Sequence, residues 1–337
     1  MMNKWIFIFS FFGLIHLGIS AICQENTIMT VKGEIPSREL GQALIHEHIL
    51  VDFIGADKTD PSRWNKKEVV QKVLPYVQKL SQLEFGALIE CTPTYLGRDP
   101  QLLLEISEKT GIHFITNTGY YGAVDNKYLP PHAHTESDRQ LANRWIKEWK
   151  EGIDGTGIKP GFIKISVNNE PLSALHQKLV RAAALTHLTT GLTIASHTGG
   201  YTPASEQVAL LKKMGVRPNA FIWVHAQGEN DLDRHIELAK EGVWVSLDGI
   251  QPNNLDSYLK SVKNLKEAGL LHKVLISHDA GWFRPEEKNG GTFRPFDTIS
   301  QEFVPLLLEN DFTEDDIHQL LTENPARAFT IHIKKIP

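Results

Sequence analysis

Apolar residues fall along this chain in short dense runs, separated by stretches with a helical period. The first clear run is Leu44-Ile45-His46-Glu47-His48-Ile49-Leu50-Val51, after a turn-like Gly41-Gln42, and it predicts a strand over 44–51. Residues 24–43 read as a lead-in. Val69, Val70, Val73, Leu74, Val77, Leu80 and Leu83 then recur at threes and fours, predicting a helix over 66–85. The alternation repeats. Strands are expected at 87–92, 113–118, 161–167, 192–197, 220–225, 243–248 and 273–279, and helices at 99–109, 137–151, 173–191, 205–214, 231–241 and 254–268. A loop rich in Gly and Pro spans 280–296, and residues 298–308 and 313–329 read as helical.

Eight strand–helix alternations with nearly continuous apolar strands predict parallel strands covered on both faces. The fold class is therefore α/β, a (β/α)8 TIM barrel formed by one domain over 24–337. No Gly-x-Gly-x-x-Gly follows the first strand, which removes the dinucleotide-binding version of an open doubly wound sheet.

Residues 1–23 stand apart. Trp5 to Leu17 is almost wholly apolar, Lys4 precedes it, and Gly18, Ser20 and Ala21 follow. The run is short for a membrane span and reads as a signal peptide. The expectation is export to the periplasm or medium, with Cys23 available for lipid attachment. Cys91 would then remain a free thiol. Ordinary globular composition and a net charge of −5 give no electrostatic case for nucleic acid.

The candidate chemistry sits where the strands end. His46 and His48 share a face of the first strand, because side chains alternate. Lys164 lies inside the fourth strand; His197, His225 and Asp279 end the fifth, sixth and eighth. In a barrel these positions converge at the C-terminal face of the strands. Lys164 is flanked by Phe162, Ile163, Ile165 and Val167, where an unpaired ammonium is costly. Imidazole and carboxylate suit zinc; manganese, cobalt and iron accept the same donors. The set exceeds the needs of one tetrahedral ion and points to two, about 3.5–4 Å apart with an anionic bridge. A carbamate formed from carbon dioxide on the Lys164 amine would supply that bridge. A water between the ions would then attack a carbonyl or phosphoryl centre, with Asp279 orienting it and shuttling its proton.

These residues also carry a family likeness. The His46-Glu47-His48 run, Gly97-Arg98-Asp99, Asn117-Thr118-Gly119-Tyr120-Tyr121, Gly161-Phe162-Ile163-Lys164-Ile165, Ser196-His197-Thr198-Gly199, Val224-His225-Ala226, Ile276-Ser277-His278-Asp279 and Glu323-Asn324-Pro325-Ala326-Arg327 resemble the blocks of the phosphotriesterase family of the amidohydrolase superfamily. The likeness extends from about residue 40 to 330. It implies the same barrel, usually as a homodimer. It also implies His46, His48 and Asp279 on a buried metal, His197 and His225 on a more exposed one, and Lys164 as N6-carboxylysine bridging both with a hydroxide. Tyr121 falls where the family's lactonases place a tyrosine against the lactone ring; Tyr120 is its neighbour. Gly249 departs from the pattern, since lactonases of this group tend to carry arginine after the strand-seven Leu-Asp. The loop from Gly281 to Pro295, with two arginines and three aromatics, could form a lid for a polar or anionic substrate.

The expected function is a binuclear metal-dependent hydrolase using a metal-bridging hydroxide. It would be a lactonase or esterase acting on a small-molecule ester or lactone, with phosphotriesterase activity on the side. The alternatives are a mononuclear metal hydrolase and an exported binding protein of the same fold.

Overall fold

The computed structural model describes residues 26–337; the expected signal peptide at residues 1–23 and Cys23 lie outside the described residues. The chain begins with an antiparallel hairpin, β1 (Thr27–Thr30) and β2 (Gly33–Pro36). The sequence reading passed over this hairpin as a lead-in, because its two strands are only four residues long. The alternating parallel elements follow: β3 (Gln42–Leu50), α1 (Lys66–Gln82), β4 (Phe85–Glu90), α2 (Pro100–Thr110), and β5 (His113–Ile115) with β6 (Asn117–Thr118). After a short α3 (Pro131–Thr135) come α4 (Asp138–Glu151), β7 (Phe162–Ser166), α5 (Ala174–Thr190), β8 (Thr193–His197), α6 (Tyr201–Lys213) and β9 (Phe221–Val224). Then follow α7 (Leu232–Glu241), β10 (Trp244–Leu247), α8 (Leu255–Glu267), β11 (Val274–Ile276), β12 (Gly281–Phe283), and the closing helices α9 (Val304–Leu308), α10 (Glu314–His318) and α11 (Asn324–Phe329).

The result is a barrel-like α/β fold. Its parallel ladder runs as two sheets, β12-β3-β4-β5 and β6-β7-β8-β9-β10-β11, in place of one continuous closed ladder of eight strands. The expected third strand is split at Thr116, whose carbonyl accepts from Gly161 N at 2.7 Å. At the other junction, Asp279 N–H donates to His46 O at 3.0 Å and His48 N–H to Ala280 O at 2.9 Å, joining the last strand region to the first. Among the described residues no helix is long and apolar enough to cross a membrane.

Two apolar layers explain the strand sequences. Ala43, Ile45, Ala87, Ile89, Phe162, Ala195, Ile222 and Leu275 form an inner cluster. Leu44, Leu88, Phe114, Ile163, Ile194 and Val245 pack outward against helix residues such as Val73, Leu103, Leu141 and Leu179. Each fully buried Leu or Ile contributes about 1.5–3 kcal/mol. Strict alternation in β3 would put His46 and His48 on the outer face with Leu44. A register shift between Leu44 and Glu47 breaks that parity, and both histidines line a central cavity.

Helix ends follow local chemistry. Asp99, Ser137, Ser173 and Asp231 cap α2, α4, α5 and α7 through side-chain acceptance of backbone N–H groups. The helix α6 starts four residues before the expected 205, at Tyr201. Several motif residues prove structural. Arg98 is buried and forks onto Glu148 at 2.7 and 2.9 Å. Asn324 donates to Leu271 O and Val274 O at 2.8 and 2.7 Å, tying α11 to the start of β11.

Glu47 lies between the two histidines and is fully buried. Its Oε1 accepts from Ser277 Oγ (2.7 Å), His278 N (2.9 Å) and His278 Nδ1 (2.7 Å), and its Oε2 from Ala280 N (2.8 Å). Replacing Glu47 with Ala strands these buried donors. The expected cost is about 3–5 kcal/mol, read as a lowered urea midpoint, with Glu47→Gln losing less. A midpoint unchanged in Glu47→Ala would refute this account of the junction.

Candidate metal centre

The site is built where the strands stop. The strand β9 ends at Val224, and His225 takes a left-handed backbone (φ 61°). Asp279, three residues beyond β11, does the same (φ 51°). Non-glycine residues rarely adopt this conformation, and such positions concentrate at functional sites. Two glycines allow the close approaches around them. A Cβ on Gly119 (φ 118°) would lie 2.1 Å from Lys164 O, and one on Gly281 (φ 94°) 1.8 Å from His48 O.

His46, His48, Lys164, His197, His225, Asp279 and Tyr121 all line one cavity of ≈ 100 Å³, with Val51, Phe53, Cys91, Leu96 and Trp282 among its walls. The six expected ligand residues are thus brought together across 233 positions of chain. His46 and His225 have ring centroids 5.0 Å apart, and those of His197 and His225 are 4.2 Å apart. Asp279 Oδ1 lies 3.1 Å from His48 Nε2 and 3.8 Å from His46 Nε2. Lys164 is buried; its Nζ is 3.3 Å from His46 Nε2.

Among the described residues, two groups have donor atoms close enough to hold an ion: His46, His48 and Asp279, and His46, His225 and Asp248. Imidazole nitrogens and carboxylate oxygens within 4.8 Å of one another suit a divalent first-row cation, so the residues fit a metal. Asp248 is the residue that sequence reasoning missed. It is fully buried and accepts from His225 Nδ1 (2.6 Å), His46 Nδ1 (3.1 Å), Ser246 Oγ (2.6 Å) and Gln227 Nε2 (3.1 Å). One carboxylate thus orients two histidines and leaves the other nitrogen of each ring for a ligand. It ends its strand as the other site residues do, and that signal could have found it. His48 is held by a longer chain. Its Nδ1 donates to Thr92 Oγ (2.8 Å), whose hydroxyl donates to buried Glu90 (2.6 Å).

Electrostatics match this arrangement. Burial lowers His46 to about 4, helped by Lys164, and holds His197 well below its usual value, helped by His225 and Lys164. Both rings are therefore neutral near pH 7, with lone pairs to give. Burial works against the charged form of His225, but Asp248 outweighs it and raises that pKa. Burial likewise opposes ionisation of Asp248 and Asp279. Nearby histidines override it and keep both well below the ordinary carboxylate range.

The two tyrosines separate. Tyr121 bridges to Ser166 and sets its hydroxyl 3.1 Å from His197 Nδ1, inside the cavity. Tyr120 turns instead to His132 Nε2 at 2.9 Å and packs edge-on against Trp145. In the loop after Asp279, Arg294 is consumed structurally, donating to Asp279 O at 2.8 Å, and Arg284 pairs with Glu287 at 2.5 Å.

Comparison with known proteins agrees with this picture. The model of the phosphotriesterase family matches residues 26–329. The chain is 30% identical over 293 residues to a phosphotriesterase homology protein of Escherichia coli, covering 86% of this chain and 98% of that protein. It is 28% identical over 313 residues to an aryldialkylphosphatase of Saccharolobus solfataricus (89% and 98% covered). It is 27% identical over 349 residues to a human N-acetyltaurine hydrolase (91% and 98%). The chain belongs to the phosphotriesterase family and is a metal-dependent hydrolase of the amidohydrolase superfamily.

Because Asp248 fixes two ligand rings at once, Asp248→Asn is expected to weaken metal affinity about 10–100-fold in chelator competition, with folding retained. Parent-like affinity would remove its orienting role.

Proposed function

We propose that this protein hydrolyses compact carboxylic esters and lactones with two divalent ions, zinc in the first instance. His46, His48, His197, His225 and Asp279 would hold the ions, with Lys164, as N6-carboxylysine, as a further ligand. The observation that carries the reading is Lys164. Its amine is buried among imidazoles, 3.3 Å from His46 Nε2, with no carboxylate in an ion pair with it among the described residues. Left as an ammonium it has no anionic partner; as a carbamate it becomes a further oxygen donor between the two halves of the site.

The bound ions would supply a polarised water and a Lewis acid for the acyl carbonyl. The remaining work falls to side chains. Asp279 Oδ1, 3.1 Å from His48 Nε2, takes the proton released by the water and passes it to the leaving alkoxide. Tyr121 donates its hydroxyl to the ring oxygen of a lactone; burial raises its pKa and keeps that proton in place. Phe53, Leu96 and Trp282 exclude bulk water.

The cavity favours small acyl groups. At ≈ 100 Å³ it is well below the roughly 300 Å³ at which sites for drug-sized ligands begin. A planar acyl carbon needs less room than a phosphotriester with three substituents, so triester hydrolysis is proposed as a side activity. The names of two relatives, an N-acetyltaurine hydrolase and an aryldialkylphosphatase, span acyl and phosphoryl chemistry, and the acetyl compound is the better fit to this cavity. The apolar run from Trp5 to Leu17 supports export as part of the same proposal.

Metal analysis of the purified protein should give near two equivalents, with lactone and aryl ester turnover lost on chelation and restored by zinc, manganese or cobalt. The Lys164→Ala variant should fall to one equivalent or less and lose activity by at least about 100-fold. One equivalent in both proteins would sink the two-metal mechanism and favour a mononuclear site.

A further inference from the structure

Trp282 brings to the cavity an indole N–H that has no use in the mechanism above. It follows Asp279 by three residues and borders the cavity. Its backbone is left-handed (φ 75°), a costly conformation for a bulky aromatic residue. The indole is held on several sides. It packs edge-on against His48 (centroids 6.0 Å apart) and Phe53 (5.7 Å). The guanidinium groups of Arg284 and Arg294 lie 5.6 and 5.8 Å from the ring centroid.

Despite this fixation, Trp282 Nε1–H is buried and has no hydrogen-bond acceptor. Arg284 Nε is buried and unpartnered beside it. Native proteins rarely leave buried donors unpaired, because each costs about 1–3 kcal/mol. Of the cavities described, the ring lines this one. Cations over the indole also draw electron density from it and strengthen its N–H as a donor to negative oxygen.

From this geometry we infer that Trp282 is a specificity residue whose indole N–H receives an anionic oxygen of the substrate, so that the preferred ester carries a carboxylate or sulfonate close to its scissile bond. The inference rests on the acyl-hydrolase reading for the reaction, but the binding it describes can be observed without turnover.

The test pairs O-acetylglycolate with isobutyl acetate, in which two methyl groups replace the carboxylate oxygens. Water cleaves the acyl–oxygen bond of each, giving acetate with glycolate or isobutanol. In Trp282→Phe, checked for native circular dichroism, the ratio of kcat/KM for the carboxylate ester to that for the isobutyl ester should fall at least about tenfold, chiefly through KM. In the parent, the Trp282 indole N–H resonance, assigned by its loss in Trp282→Phe or Trp282→Tyr, should move downfield on titration with glycolate and stay in place with isobutanol. An unchanged ratio with an unmoved resonance overturns the inference. If the parent cleaves neither ester, the acyl-hydrolase reading fails by itself. The resonance then decides: a shift with glycolate upholds the anion contact, and its absence ends it.

Discussion

The carboxylate of Glu47 holds the site in register. It lies between two expected ligands on β3, yet every bond it makes goes to the far end of the chain, at Ser277, His278 and Ala280. These residues flank Asp279 on both sides. Ser277 Oγ in turn accepts from His46 N at 3.0 Å, and His278 Nε2 accepts from Ile299 N at 3.0 Å. A single buried side chain therefore sets the distance between the His46–His48 pair and Asp279. It acts at the junction where the strand ladder is interrupted and backbone pairing alone is sparse. Satisfied buried networks of this kind rigidify a structure, and partly satisfied ones are costly.

The same logic is repeated around the cavity. Asp248 fixes His46 and His225, and Glu90 acts on His48 through Thr92. Two carboxylates, one directly and one through a threonine, thus determine which nitrogen of three histidines is available. His197 differs: the Tyr121 hydroxyl sits 3.1–3.2 Å from both of its ring nitrogens. It is the most loosely determined ring of the four and lies beside the residue proposed to meet the substrate.

Much of this was legible in the sequence, because apolar strands ending in His, Lys or Asp state where the chain stops being core. Placing those ends on one face needed only the parallel α/β pattern. Other features were not legible, for physical reasons. The shift that turns His46 and His48 inward depends on how β3 pairs with β4, which lies about forty residues away. The partners of Glu47 are more than two hundred residues distant, so no local pattern reports them. The arginines of the 281–295 loop suggest a lid for a polar or anionic substrate, but Arg294 is spent on the carbonyl of Asp279. The break at Thr116 divides a run that composition alone makes continuous.

Charge balance ties the support network to the proposed chemistry. Asp248 and Asp279 stay ionised, held there by histidines, while His46 and His197 are neutral. With Lys164 as an ammonium, the buried site would contain a cation that offsets one of its two carboxylates and weakens its hold on a metal. Converting that amine to a carbamate exchanges one positive charge for one negative. Three negative charges would then face two divalent ions, leaving a single positive charge in a medium where unpaired charge is expensive. A hydroxide, or the negative charge that develops on the acyl oxygen in the proposed reaction, would cancel it. On this reading the lysine does more than add a ligand: its modification would turn a site of weaker metal affinity into one whose residual charge is matched to the reaction.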